Sequence, residues 1–165
     1  MEKRRSIEVA GVKHQNPIPA ACRRGPFVVS GAISGADPET GKVPPDLDAQ
    51  CRQMFENVRR LVAAAGGTPE DIVKMTVWIA DRGLRPTLNK YWVEMFPDPH
   101  SRPARHTVAH SDFTPPMQIQ CDLLAVIGEG QRATMRRAGQ EVPATSGQPL
   151  AEWALDLLVK QGSRR

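Results

Sequence analysis

One stretch of this chain has little freedom in what it can become. Between Leu47 and Ala65 the apolar residues are Leu47, Cys51, Met54, Phe55, Val58, Leu61, Val62 and Ala65. Their steps of three and four align them along one side of a helix of about five turns. Asp46 stands where an N-cap belongs, and Gly66-Gly67 where the chain must leave the helix. Arg52, Glu56, Arg59 and Arg60 fall off the stripe. A helix this one-sided must bury that stripe against something flat and apolar.

The flanking segments supply it. Residues 7–12 (IEVAGV) predict a short edge strand, broken by Asn16-Pro17-Ile18-Pro19. Pro26 to Ser34 predicts one strand, with Gly31 inside it marking a bulge or a close backbone approach. Ser34 to Pro45 is turn-rich. Ile72 to Ala80 alternates, with Val73, Met75, Val77 and Ile79 on one face and Lys74, Thr76 and Trp78 on the other. Pro86 opens a second helix with the stripe Leu88, Tyr91, Trp92, Met95 and Phe96, which Pro97 ends. Pro103 to His110 and Met117 to Ile127 predict two further strands around Thr114-Pro115-Pro116. The order β-β-α-β-α-β-β, with both helices one-sided, predicts an α+β sandwich of a mixed sheet carrying two helices on one face.

Residues 1–128 are expected to form this domain, 129–148 a linker, and 149–161 a C-terminal docking helix. In that last segment Leu150, Ala151, Trp153, Ala154, Leu155, Leu157, Leu158 and Val159 are apolar, and only Glu152, Asp156 and Lys160 form a polar stripe. Such a helix needs cover from its own domain or from a neighbouring subunit.

Composition excludes several classes. Apolar runs of about six residues fall far short of the roughly 20 needed to span a membrane. Ser6 to Ala10 makes no signal-peptide core after the basic Met1–Arg5, so the expected place is the cytoplasm. Cys22, Cys51 and Cys121 are an odd, widely spaced set, which speaks against a disulfide framework or a structural zinc site. The net charge of +4 lies in the ends: outside Glu2–Arg5 and Arg164-Arg165 the chain carries 17 basic and 17 acidic residues. No phosphate-tracking field is expected on the body, and so no nucleic-acid or membrane partner.

Several consecutive motifs carry a likeness. Phe27-Val28-Val29-Ser30-Gly31, Asp37 to Pro44, Asn57-Val58 before Ala64-Ala65-Gly66, Asp71 to Val77, and Arg102-Pro103-Ala104-Arg105 resemble the RidA (YjgF) family in order and spacing. The likeness spans roughly residues 15–128. It implies a chorismate-mutase-like α+β fold and a homotrimer with ligand clefts between subunits. It also implies hydrolysis of reactive enamines and imines to 2-keto acids and ammonia, without a cofactor. Family members also carry labels as translation inhibitors or endoribonucleases.

Residue by residue, Arg105 matches the family arginine that holds the substrate carboxylate, a role suited to a guanidinium fork. Ser30 and Gly31 match the Ser-Gly at the cleft. Thr107, two residues along the strand from Arg105, and Asn89 on the second helix are further ligand-binding candidates. Gln120 stands where the family has its catalytic glutamate. A carboxamide positions water but cannot take a proton. Asp122, on the same strand face, sits about 6.5 Å away and is a poor substitute. Ile18 replaces a cleft-capping aromatic, and His106 replaces a small residue. His106 and His110 share a strand face away from Arg105, a weak metal or acid–base pair for which Asp112 is the only further local ligand candidate. Three readings follow: a deaminase acting through Arg105 and Gln120, a non-catalytic binder or scaffold for small carboxylates, and an endoribonuclease.

Overall fold

The computed structural model describes residues 3–10 and 16–128. The predicted linker and C-terminal docking helix lie outside the described residues. Among the described residues, seven strands and two α-helices run in the order β1 (Arg5–Ile7), β2 (Ala21–Arg24), β3 (Phe27–Ser30), β4 (Ile33–Ser34), α1 (Leu47–Ala64), β5 (Ile72–Ile79), α2 (Arg85–Met95), β6 (Ala104–Ala109) and β7 (Ile119–Val126). The strands form one mixed sheet, β1-β2-β3-β7-β5-β6, with β4 also pairing to β7. Among the described strands, β5 and β6 are the pair that runs parallel, and the other pairs are antiparallel. Both helices pack on one face, so the predicted two-layer α+β sandwich is what forms.

The long helix begins and ends where its sequence says. The Asp46 carboxylate accepts from the Ala49 N–H at 2.8 Å, and Gly66 leaves the helix at φ 86°. Cys51, Met54, Val58, Leu61 and Val62 are buried in the core, and Phe55 is buried beside Tyr91 of α2. Gln50 and Asn57 are buried too, and both are fully employed. Gln50 donates to the Pro44 and Pro116 carbonyls and accepts from the Gln118 N–H. Asn57 donates to the Ser34 and Ala36 carbonyls and accepts from Gln53. The two amides sew α1 to the loops at one end of the sheet.

Four features differ from the sequence reading. First, β1 covers Arg5–Ile7 and does not continue over residues 8–10, while 11 and 12 of the predicted strand lie outside the described residues. Second, β2 was not foreseen. Its Arg23 is only 2% exposed, and its guanidinium donates to the Ala65, Ile127 and Gly25 carbonyls. It thereby caps the C-terminus of α1 and ties it to the end of β7. Third, the single strand expected over 26–34 is two. The Ser30 hydroxyl accepts from the Leu123 N–H at 2.9 Å, filling the ladder position where β3 leaves β7. Fourth, Val73 is exposed and Ile72 buried, because a register shift lies between Ile72 and Lys74 on the β5–β7 ladder.

The sheet face away from the helices stays open. Phe27 (56% exposed), Val29 (48%) and Val126 (39%) lie on it. Phe27 pairs with Val126, and Val29 with Leu124. All three cysteines are free. Burial pushes the Cys51 thiol up to about 12 and raises that of Cys121, which keeps both as inert core residues. Among the described residues no helix is long and apolar enough to cross a membrane.

Candidate active site

Strand β6 closes one edge of the sheet. Its pairing sets Arg105 beside Met75 and Thr107 beside Val77. Parallel partners share a face, so both side chains lie on the helix side, beneath α2. There Arg105 meets two residues of that helix. Its Nη2 donates to the Asn89 Oδ1 at 2.7 Å, and its guanidinium carbon lies 4.6 Å from the centre of the Trp92 ring. Asn89 and Trp92 are three apart, which places them on one side of the helix. Trp92 is itself buried and packed against Phe96 at 4.7 Å.

The remaining guanidinium nitrogen defines the site. Arg105 Nη1 is buried and has no hydrogen-bond partner. Such an orphaned donor costs roughly 1–3 kcal/mol, more when charged. No carboxylate among the described residues pairs with Arg105, and the exposed Lys90–Asp48 ion pair at 2.8 Å does not involve it. Burial, and after it the Arg85 charge, pull the Arg105 pKa below the ordinary arginine value. Arginine stays protonated through such a shift. The arrangement is a half-buried cation, stacked on one side, held on another, with a free donor. Such an arrangement leaves room in its hydrogen bonding for an oxyanion.

The other predicted residues do not join it within one chain. Gln120 lies between buried Ile119 and Cys121, opposite Trp78, so it faces the open side. It is two strands from β6, about 10 Å away, and on the far face from Arg105. Ser30 and Gly31 are three strands away. Sequence proximity to a family motif said nothing of this division. Arg105 and Asn89 meet, and Thr107 shares the strand face of Arg105; Ser30, Gly31 and Gln120 stand apart from them.

Of the two readings of Gly31, the close approach of other backbone is not what its surroundings show. A Cβ there would meet only the Ala20 and Pro19 carbonyls, at 3.6 and 3.7 Å, which is ordinary contact. The close approach occurs at Gly35, where a Cβ would come within 2.7 Å of the Gln50 Cα. Trp92 was read only as part of a core stripe. Its spacing of three from Asn89 was the available signal for its second role. His106 is exposed opposite Thr76, while His110 packs edge-on against Phe113 at 4.7 Å. Among the described residues no three metal-ligating side chains cluster. Asp122 pairs with Thr76 on the open face, and Ile18 is 51% exposed. A cleft of 320 Å³ between the outer sides of α1 and α2 is lined by Arg52, Arg59, Glu56 and Glu94 over Phe55 and Tyr91, and none of the predicted site residues lines it.

Comparison with known proteins gives this geometry a family. Residues 14–127 match the sequence family described as Endoribonuclease L-PSP. The 2-iminobutanoate/2-iminopropanoate deaminase of Salmonella typhimurium is 35% identical over 103 residues, 62% of this chain and 80% of that protein. Its Escherichia coli K12 counterpart is 36% identical over 101 residues, 61% of this chain and 78% of that one. Among solved structures, RidA from the Antarctic bacterium Psychrobacter sp. superposes with a TM-score of 0.69 at 27% identity, covering 74% of this chain and 99% of that one. E. coli TdcF with bound serine gives 0.68 at 28% identity, covering 74% of this chain and 98% of its own. With its sheet, its two helices and its Arg105 motif in the family's order, the chain belongs to the RidA/YjgF family.

Proposed function

We propose that this protein is a homotrimeric deaminase of small 2-imino carboxylates, binding them in clefts shared between subunits. The observation that carries the reading is the buried, unpartnered Arg105 Nη1 beside Asn89 and Trp92. A carboxylate is the ligand that satisfies it, through charge-assisted hydrogen bonds to a fixed fork. Two relatives named for 2-imino acid deamination, and a third structure holding serine, support the same class of ligand.

Two features support assembly. The open sheet face exposes Phe27, Val29 and Val126, apolar surface that gains by being covered. The candidate residues fall into groups that one chain keeps apart. A neighbouring copy presenting Ser30, Gly31 and Gln120 to the Arg105 edge completes one site from the two.

The chemistry asks little of the protein once the carboxylate is held. Water adds to the imine carbon, the C–N bond breaks, and both water protons leave with nitrogen as ammonia. The imine nitrogen is basic enough to take the first proton. Gln120 of the partner subunit accepts a hydrogen bond from the water through its Oε1 and so aims it. It cannot remove a proton, so the reaction runs without general-base assistance, which is worth about 10²–10⁴-fold where present. The same substitution favours the second reading, a carboxylate binder that does not turn over. The exposed His106 and the Phe113-packed His110 give RNA cleavage no paired acid and base.

The test is release of ammonia and 2-oxobutanoate from freshly generated 2-iminobutanoate by the full chain and by Gln120→Glu. The deaminase reading predicts activity above the spontaneous rate in the parent and a rise of about a hundredfold in Gln120→Glu, the low side of what a general base supplies. A silent parent with an active Gln120→Glu moves the protein to the binder. Silence in both rejects the site.

A further inference from the structure

The anion site has a second cation that the family motif does not account for. Arg85 opens α2, four residues before Asn89 and seven before Trp92. That spacing puts all three on one side of the helix, the side that meets Arg105. Asn89 touches the Arg105 fork at 2.7 Å and Trp92 lies 4.6 Å beneath it, so Arg85 stands one turn further along the same wall. It is exposed, and it makes no hydrogen bond or ion pair through its side chain among the described residues. Its charge is felt at Arg105, where it acts in the direction that disfavours a second cation.

An exposed arginine needs no partner in general. Arg85 differs in where it stands. Arg85 lies on the Asn89–Trp92 side of α2 and its charge reaches Arg105, which carries a buried donor without an acceptor, and neither arginine is paired to an acidic side chain among the described residues. Like charges placed so repel one another until an anion enters. One carboxylate satisfies Arg105. A second negative group, carried a few bonds away on the same ligand, is what brings Arg85 into use.

We infer that Arg85 is a specificity residue, selecting 2-imino acids that carry a second carboxylate on their side chain. The inference rests on the carboxylate-binding role proposed for Arg105 and narrows it from imino monocarboxylates to imino dicarboxylates. No new chemical step is involved. The Cβ atoms of Arg85 and Asn89 are about 5–6 Å apart, as for any pair four residues apart on a helix. The long, flexible Arg85 side chain, one helical turn from Asn89, is the cation nearest in the fold to take a second carboxylate carried a few bonds from the first.

Isothermal titration of the full chain with the corresponding keto acids tests this, because binding needs no turnover. The probes are 2-oxobutanoate, oxaloacetate and 2-oxoglutarate. The parent is expected to bind at least one of the two diacids about tenfold or more tighter than 2-oxobutanoate, the scale of a charge-assisted contact. Arg85→Gln reduces that ratio to about threefold or less, and Arg85→Lys retains most of it. A ratio near one in the parent overturns the inference while leaving the Arg105 site intact. So does a ratio unchanged by Arg85→Gln. Failure to bind any of the three, or binding unaffected by Arg105→Ala, overturns the carboxylate site itself and this inference with it.

Discussion

Replacing Arg23 with methionine tests whether the fold depends on a buried cation with no place in a simple hydrophobic pattern. The methionine keeps most of the side chain's length and apolar stem. It removes donors that reach the Ala65 carbonyl at 2.7 Å, Gly25 at 2.9 Å and Ile127 at 3.1 Å. Ala65 and Ile127 are 1% and 0% exposed, so water cannot replace the arginine at those two residues. Two buried acceptors left unsatisfied cost roughly 2–6 kcal/mol, at about 1–3 each. Removing a cation from the interior returns part of this. The loss of its complement to the α1 dipole adds a fraction of a kcal/mol. The net loss is about 3 kcal/mol, a large share of a typical domain's stability. For a domain of this size that is a fall in Tm of about 10 °C. The assay is urea and thermal denaturation at one fixed protein concentration, so that assembly does not confound the comparison. Arg23→Lys is expected between parent and Arg23→Met, since one ammonium cannot span carbonyls in three directions. An Arg23→Met protein with an unchanged or raised urea midpoint refutes the reasoning.

Three shorter predictions rest on other contacts. Gly35→Ala forces its methyl into the Gln50 backbone and is expected to cost over about 2 kcal/mol, whereas Gly31→Ala meets only ordinary contacts and changes chain stability by under about 1 kcal/mol. Parallel thermal melts separate the two, and equal losses contradict the geometry. The Asp48 carboxyl is held below its usual 3.8 by hydrogen bonds from Lys90 and then Tyr91, so its stabilising effect is full above that value and fades as pH falls through the lower folded one. The Tm gap between parent and Asp48→Asn is therefore expected to close as pH falls below the ordinary carboxylate range, and a gap that widens in acid reverses the sign. Asn89→Leu removes the fixed acceptor on Arg105 Nη2 and is expected to weaken 2-oxobutanoate binding about 3- to 10-fold in the same titration, with little change in Tm.

How much of this was legible beforehand depended on whether a residue's neighbours were local. The α1 stripe, its Asp46 cap and its glycine exit are all read from one short stretch of sequence, and all were in place. Arg23 could not be read so, because its acceptors lie 42 and 104 residues away in sequence. A basic pair in Ala-Cys-Arg-Arg looks exposed until the end of a helix is brought over it, which is why β2 went unseen. The phase of β5 slipped for a different reason. The shift between Ile72 and Lys74 belongs to the ladder with β7 and leaves no mark on an alternating apolar run. Arg105 was recognised through its motif, and the structure sets Asn89 at its tip. The division of the site was not legible. Gln120 and Arg105 sit on consecutive strand segments of the sequence, yet β5 intervenes between those strands and the two side chains leave the sheet on opposite faces. Trp92 and Arg85 were missed because a stripe analysis sorts helix residues into core and surface. Both lie on the seam between those classes.

The central claim is that Arg105 holds the carboxylate of a reacting imino acid. Ammonia release from freshly generated 2-iminobutanoate, measured for the Gln120→Glu protein with and without Arg105→Ala, tests it most directly. The Gln120→Glu background supplies the strongest signal the site can give. The account predicts that Arg105→Ala brings the rate down to the spontaneous one, with the melting temperature lowered by no more than a few degrees. A rate that persists in the Arg105→Ala protein contradicts it.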